Sequence, residues 1–163
     1  MMSDPQPALS TRQRLGPGAE LKAALTEAHK LVDDLLSAEM GSLGVNLGEA
    51  DVLTVLHVAE HHPTPTEVAD WLSVTGASTT ARLQSLERRG LVERKPNATD
   101  RRSVSLHLTA EGQRLAAAVV RAKDTAIVNG LIDRLGPDAA AEVTANLQQV
   151  IRVARSLLAD EAG

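Results

Sequence analysis

The stretch that decides the fold is residues 76–112, which read GASTTARLQSLERRGLVERKPNATDRRSVSLHLTAEG. Leucines at helical spacing predict a helix over residues 77–89, and Gly90 is a typical helix C-terminal residue. Residues 103–108 alternate polar and apolar side chains, as a half-buried strand does. Residues 91–94 predict a partner strand, with a polar loop between the two. The stretch therefore predicts a helix followed by a β-hairpin.

A second, shorter helix precedes this stretch. Thr64-Pro65-Thr66-Glu67 fits a capping box with proline in the first helical turn, and residues 73–76 form a turn. The order of short helix, tight turn, helix and hairpin over residues 64–109 predicts a winged helix-turn-helix. In such a unit the second helix enters the major groove of DNA, and the hairpin tip reaches the minor groove or the backbone.

Amphipathic helices flank this unit, so we predict a mainly α fold with one small hairpin. Apolar residues recur at helical spacing over residues 21–36, and Asn46 with Glu49 predicts the capped start of a central buried helix. Thr109 predicts the cap of a fifth helix, and a last helix carries apolar residues from 147 to 158. The flanking helices have more apolar surface than a small winged domain covers, which favours a dimer over a monomeric bundle.

Composition excludes several function classes. The 163 residues contain no cysteine, so disulfides and thiolate–metal sites are excluded, and one tryptophan without Phe or Tyr argues against a single-strand stacking platform. We find no apolar run of the roughly 18 residues that a membrane helix needs, and no secretory signal. We therefore expect a cytoplasmic protein that does not bind a membrane.

The charge is unevenly distributed. Residues 76–102 carry seven basic and three acidic side chains and a net charge of +4, whereas the whole chain has −4. A basic segment in an acidic body is typical of a local anion-binding surface. On charge alone, a solvated helix and loop with internal salt bridges is an equally good interpretation.

Two motifs in register resemble the MarR family of bacterial winged-helix regulators. The helix ending Leu-Glu-x-x-Gly-Leu-Val-x-Arg is followed by the wing signature Asp-x-Arg, five residues, Leu-Thr and a helix with glycine. The resemblance covers nearly the whole chain after residue 18. The matching residues are Leu86, Glu87, Gly90, Leu91, Val92, Arg94, Asp100, Arg102, Leu108, Thr109 and Gly112.

The resemblance implies a domain organisation and a function. Residues 1–18 would be a flexible arm and residues 19–163 a single domain, in which 46–109 form the winged helix-turn-helix and 19–45 and 110–163 the dimerisation helices. The implied protein is a homodimeric repressor of a pseudo-palindromic operator in double-stranded DNA, relieved by a small-molecule effector. It is not an enzyme, and we expect no cofactor.

The DNA-contacting residues are expected on the second helix and the wing. At 100° per residue, Ser78, Ala81 and Ser85 point away from the face of Leu83 and Leu86, and Thr80 and Arg82 lie on its flanks. Arg82 is the main long basic side chain available for reading bases. The predicted DNA-binding residues are Ser78, Thr79, Thr80, Arg82, Ser85, Arg94, Lys95, Asp100, Arg101 and Arg102.

A histidine cluster supports an alternative function. His57 and His61 are four residues apart, with His62 adjacent, in an HxxEH arrangement that some zinc proteases use. No further ligand motif follows, and we favour solvated histidines at a helix end. The alternative is a metal-responsive regulator or a metal-binding protein.

Three residues are candidates for effector binding. Family members bind small, often aromatic, ligands between the dimerisation helices and the winged domain. By that resemblance Trp71, His29 and Asp33 could line such a site. For Trp71, packing in the core is the favoured interpretation.

Overall fold

The structure is a computed structural model that describes residues 16–97 and 103–160. Its described part is mainly helical with one antiparallel hairpin, as predicted. The bounds of the elements are α1 Pro17–Ser42, α2 Leu47–Val58, α3 Pro65–Leu72, α4 Gly76–Arg88, β1 Val92–Pro96, β2 Val104–Leu108, α5 Ala110–Ile127, a π-helical turn Val128–Ile132, α6 Asp133–Leu135 and α7 Pro137–Asp160.

Side-chain caps begin four of the helices. Asn46 and Thr64 each accept from the backbone of a glutamate three residues on, whose carboxylate bonds back, so both predicted capping boxes are confirmed. Thr75 caps α4 and Thr109 caps α5 in the same way. Helix α1 begins before the predicted residue 21, because Pro17 is compatible with a first helical turn.

The described residues divide into two compact units after Asp34, with α1 contributing to both. The core lies in the second unit and is centred on α2, whose Val52 and Leu53 are fully buried. The buried residues that pack with them come from α2 itself, from α1, α3, α4, α5 and the hairpin, and from the α1–α2 and α4–β1 connections. They are Met40, Val45, Ala50, Val68, Leu83, Leu86, Leu91, Val92, Leu106, Ala116 and Val119.

The hairpin is held to the helices by backbone hydrogen bonds. Val92 pairs with Leu108 in antiparallel register. On the other side of β2, the Leu106 N–H donates to the carbonyl of Pro63 at 2.8 Å. The α2–α3 loop is thus hydrogen-bonded to the edge of β2 that does not pair with β1. The Thr109 N–H donates to the Leu91 carbonyl at 3.1 Å, which fixes the start of α5 against β1.

The C-terminal helix α7 has no buried residue. It is separated from α6 by Gly136 at φ 83°, a left-handed conformation that favours glycine. Its exposed large apolar side chains range from Leu147, at 42% exposed, to Leu158, at 68%. No helix in the described ranges is long and apolar enough to cross a membrane.

Candidate nucleic-acid interface

Helix α4 has one buried face and one exposed face. Thr79, Leu83 and Leu86 are buried against the core, at positions that share one side of the helix. The opposite side is exposed and carries Ala77, Thr80, Ala81, Gln84 and Arg88. Helix α4 therefore presents small and polar side chains outward from a firmly seated apolar face, as a helix that enters a DNA groove must.

Thr79 does not belong to the exposed face. It is 1% exposed, and its hydroxyl donates to the carbonyl of Thr75 at 3.2 Å. The prediction that Thr79 binds DNA is therefore wrong for its side chain, because burial withdraws the hydroxyl from any external partner. Its neighbour Thr80 is exposed, and Ser78 is half-buried beside the cap of α4.

Ser85 faces α2 rather than solvent. Its hydroxyl donates to Oε1 of Glu49 at 2.6 Å, and Glu49 is 5% exposed. The prediction that Ser85 points away from the core is wrong, because the buried carboxylate draws the hydroxyl into the α2–α4 interface. A DNA contact by Ser85 would require that hydrogen bond to break.

Glu49 gathers donors from three places. Its carboxylate accepts from the backbone N–H of Asn46 at 3.2 Å, from Ser85, and from Nη1 of Arg89 at 3.2 Å. Arg89 also donates from Nη2 to the carbonyl of Gly44 at 2.9 Å. One carboxylate thus caps α2 and clamps the end of α4, which holds the exposed face of α4 in a fixed orientation.

Arg82 lies on the flank of α4 that faces α2. An ideal Cβ at Gly48 would lie 2.7 Å from its Nε, so the guanidinium packs over the first turn of α2. Arg82 is half-buried there. A base contact by Arg82 requires the guanidinium to leave Gly48.

The described part of the wing carries paired charges. Arg94 forms an ion pair with Glu87 at the end of α4, and Lys95 pairs with Glu93 at 2.6 Å. Both basic side chains keep exposed surface. The predicted wing-tip residues Asp100, Arg101 and Arg102 lie outside the described residues.

The histidine cluster has a different geometry from the predicted one. Helix α2 ends at Val58, so His57 and His61 do not share a helix face. Proline at position 63 opposes continuation of the helix, because it lacks an N–H for Ala59 and restricts the residue before it. No group of three or more His, Asp or Glu side chains that could hold a metal ion exists among the described residues. The metal alternative is therefore unsupported.

Trp71 is 48% exposed, so the favoured interpretation of a core tryptophan is wrong. Its ring meets that of His61 edge-on, with centroids 5.7 Å apart, and His61 Nε2 lies 3.3 Å from Oε1 of Glu67. Trp71 lies in the last turn of the short α3, and its neighbour Leu72 is the residue of that turn that packs against the core.

The three effector candidates are divided between the two units. His29 Nε2 lies 3.5 Å from the Asp33 carboxylate, one turn apart on α1 in the first unit. Trp71 belongs to the second unit. Their shared role in ligand binding stays a prediction.

Sequence reasoning omitted Gln84, and it treated Arg88 and Arg89 only as contacts to the DNA backbone near the end of the helix. The helical spacing already indicated that Gln84 and Arg88 are exposed, since at 100° per residue they lie opposite the buried residues 79, 83 and 86. No local pattern indicates that Arg89 would reach Glu49, because the two are brought together only by tertiary packing.

The geometry defines the class of protein. The short α3 is followed by α4, which has one face buried in the core, and then by a hairpin that packs on the same core. This arrangement is a winged helix-turn-helix. Residues 43–103 match the model of the MarR family. The repressor YetL of Bacillus subtilis is 33% identical over 95 residues, which are 58% of this chain and 57% of YetL.

Two solved structures extend the comparison to most of the chain. A mutant of MarR from E. coli in complex with operator DNA is 27% identical, with a TM-score of 0.72, covering 80% of this chain and 93% of that one. The repressor CouR, bound to a 23-mer DNA duplex, is also 27% identical, with a TM-score of 0.73 and coverage of 83% and 96%. The chain is therefore similar to MarR-family proteins, in sequence over residues 43–103 and in fold over most of its length. The matched region is a little under three fifths of YetL's length.

Proposed function

We propose that the protein is a sequence-specific, double-stranded DNA-binding transcriptional regulator, acting as a homodimeric repressor on a pseudo-palindromic operator. The proposal rests on the two faces of α4. One face is buried and contains Leu83 and Leu86, and the other is exposed and contains Thr80, Gln84 and Arg88. The names of its relatives and the DNA bound to the MarR and CouR structures support it. This function places the protein in the bacterial cytoplasm, on the nucleoid.

The open face of α4 divides into two kinds of contact. Gln84 can bond both N6 and N7 of an adenine, and Thr80 can bond either kind of base edge. Arg88, nearer the helix end, is suited to a phosphate. Ser78, Arg94, Lys95, Arg101 and Arg102 complete the proposed surface as contacts to the DNA backbone. Asp100 is proposed to act indirectly, by pairing with Arg102 in the wing. Arg82 and Ser85 support the helix from the α2 side.

Dimerisation is proposed from the uncovered apolar side chains of α7. Val143, Leu147 and Ile151 follow one another at intervals of four residues, Leu157 lies six residues further on the same side, and each is 42 to 60% exposed. A stripe of this kind in a monomer would be a large apolar patch in water. A second copy of the chain covers it by symmetry and places two α4 helices about one turn of DNA apart, roughly 34 Å.

A small-molecule effector is proposed to lower DNA affinity by favouring one of two dimer arrangements. A groove of about 620 Å³ between the end of α1 and α5 offers space for one, and Leu35, Glu39, Arg121, Asn129 and Arg134 line it. His29, Asp33 and Trp71 are not among its lining residues, and their role remains the proposal based on family resemblance.

Selection of bound fragments from the host genome tests the function directly. We expect enrichment of pseudo-palindromic sites, and binding to a selected duplex that weakens steeply with salt. Recovery of random fragments, or binding no tighter to the selected duplex than to a scrambled one, would contradict sequence-specific regulation. Sedimentation of the same complex should give two chains per site.

A further inference from the structure

Two histidines join the wing to the α2–α3 loop. The rings of His62 and His107 lie against each other, with centroids 3.7 Å apart and planes inclined by 32°. His62 precedes Pro63 in the loop, and His107 follows Leu106 in β2. The stack therefore lies next to the hydrogen bond from the Leu106 N–H to the Pro63 carbonyl.

That hydrogen bond is a buried anchor. Pro63 is fully buried and Leu106 is 1% exposed. A break here would leave a buried carbonyl and a buried N–H without partners. The α2–α3 loop and β2 therefore stay joined unless both groups become exposed to water. Any force between the two imidazoles consequently acts on the attachment of the hairpin.

The groups around the stack come from β1, β2 and the α2–α3 loop. From β1, Glu93 is paired in register with His107, and Lys95 also acts on it. From β2, the Ser105 hydroxyl lies 3.0 Å from His107 Nε2. From the loop, His61 turns to Trp71 and Glu67 of α3.

Burial, followed by the positive charges of His62 and Lys95, lowers the pKa of His107 below the ordinary 6.5, and Glu93 opposes this only in part.

We propose that the His62–His107 stack is an acid-sensitive latch, in which protonation of His107 against its stacked neighbour separates the α2–α3 loop from β2 and frees the wing. Two neutral imidazoles stack without charge repulsion, whereas two imidazolium rings at this distance repel each other.

The direction of the pH effect follows from linkage. Because the pKa of His107 is lower in the closed state than in an open, solvated one, the open state binds the proton more readily. The stabilisation from the stack is complete above about pH 6.5 and is lost as pH falls through the closed-state pKa. Each unit of pKa difference corresponds to a tenfold increase in the opening equilibrium constant once the pH is below both values.

Nuclear magnetic resonance of the full chain tests the latch without DNA. The Leu106 amide reports the anchor, and we expect its protection from hydrogen exchange, corrected for intrinsic rate, to fall as His107 titrates. In His62→Gln the pKa of His107 should rise towards 6.5, because the neighbouring charge is gone. The matched control is His57→Gln, an exposed histidine in the last turn of α2, which should change neither quantity.

Either of two results would overturn the latch. One is Leu106 protection that stays constant while the His107 resonance titrates, and this needs only the unmodified protein. The other is a His107 midpoint that is the same in His62→Gln as in the unmodified chain.

The consequence for DNA rests on the proposed function. On acidification from pH 7.5 to 5.5, the affinity of the unmodified protein for a genome-selected duplex should fall relative to that of His107→Gln, which keeps His62 but has no second charge to repel it. A constant ratio of the two affinities contradicts control of DNA binding by the latch. Absence of binding at both pH values in both proteins instead contradicts the DNA-binding function, and the resonance experiment still decides the latch.

Discussion

The guanidinium of Arg82 packs on the backbone of Gly48, so that an ideal Cβ at position 48 would lie 2.7 Å from Nε and 2.8 Å from Cζ. Glycine in the first turn of α2 leaves the space that the long side chain occupies. The Arg82 side chain therefore packs in the α2–α4 interface and does not extend over the exposed face of α4. Sequence reasoning alone favours Arg82 over Gln84 as the residue that reads bases. The packing of Arg82 on Gly48 favours Gln84 instead.

We expect Gln84→Ala to lose specificity and Arg82→Ala to lose little of it. If Gln84 reads an adenine, its removal should cost about 1–3 kcal/mol on the cognate duplex and relax the base preference at one position in each half-site. Binding curves on cognate and scrambled duplexes at two salt concentrations measure both effects. A specificity loss in Arg82→Ala with none in Gln84→Ala would reverse the assignment and restore Arg82 as the base-reading residue.

Removal of the Glu49 carboxylate should destabilise the whole winged domain. In Glu49→Ala the Ser85 hydroxyl, the Arg89 guanidinium and the Asn46 N–H lose their shared acceptor. With one charged partner and two neutral donors affected, we expect a loss of about 1.5–3 kcal/mol in the free energy of unfolding. Urea denaturation measures it. Glu142→Ala, which removes an exposed glutamate from α7, is the control and should stay within about 0.5 kcal/mol of the unmodified chain.

Gly112→Ala should be more harmful than an ordinary Gly→Ala change in a helix. A Cβ at position 112 would lie 1.9 Å from the carbonyl oxygen of Leu91, a backbone atom held in place by the Thr109 N–H. The first turn of α5 and the chain entering β1 must then move apart, which should lower the free energy of unfolding by about 1–3 kcal/mol or more. Gly41→Ala is the control, because a Cβ there meets nothing within 4 Å and should be neutral or stabilising. Equal thermal stability of the two variants would contradict the close contact.

Local signals in the sequence were sufficient for the helix starts and for the hairpin. The caps at Asn46, Thr64 and Thr109 act over three residues, and alternation in β2 needs only five, so each is visible without knowledge of the fold. The orientation of Arg82 was not predictable in this way, because it depends on a glycine in another helix.

The same distinction explains the errors at the site. A four-residue spacing places His57 and His61 on one face only if the helix continues, and α2 ends at Val58. Ser85 was assigned from its angle on α4, but the angle does not reveal that Glu49 of α2 lies within hydrogen-bonding distance. The π-helical turn after α5 has no signature that we recognised in the sequence.

Acid should weaken the protein partly through the cap of α3. The backbone N–H of Thr64 donates to Glu67 at 2.7 Å, and with the Thr64 hydroxyl it lowers the pKa of that carboxyl below 4.5. The stabilisation is present above about pH 4.5 and is lost as pH falls through the lower folded-state pKa. In thermal melts from pH 6 to 3, Glu67→Gln should lose less stability than the unmodified protein. Glu60→Gln, in the exposed loop after α2, is the control, and parallel losses in all three proteins would contradict the effect.

A charge placed in the α7 stripe should separate the proposed dimer. Ile151 is 49% exposed in the single chain, and in a dimer its burial contributes about 1.5–3 kcal/mol, while a buried unpaired carboxylate costs still more. We therefore expect Ile151→Glu to be monomeric at micromolar concentration in sedimentation equilibrium. Its winged domain should stay folded, because α7 contributes no residue to the buried core. Gln149→Glu adds the same charge two residues away, on the opposite side of α7 from Ile151, and it should remain dimeric. A dimer that survives Ile151→Glu unchanged would remove α7 from the interface, and a monomer that binds the selected duplex with full affinity would separate DNA binding from dimerisation.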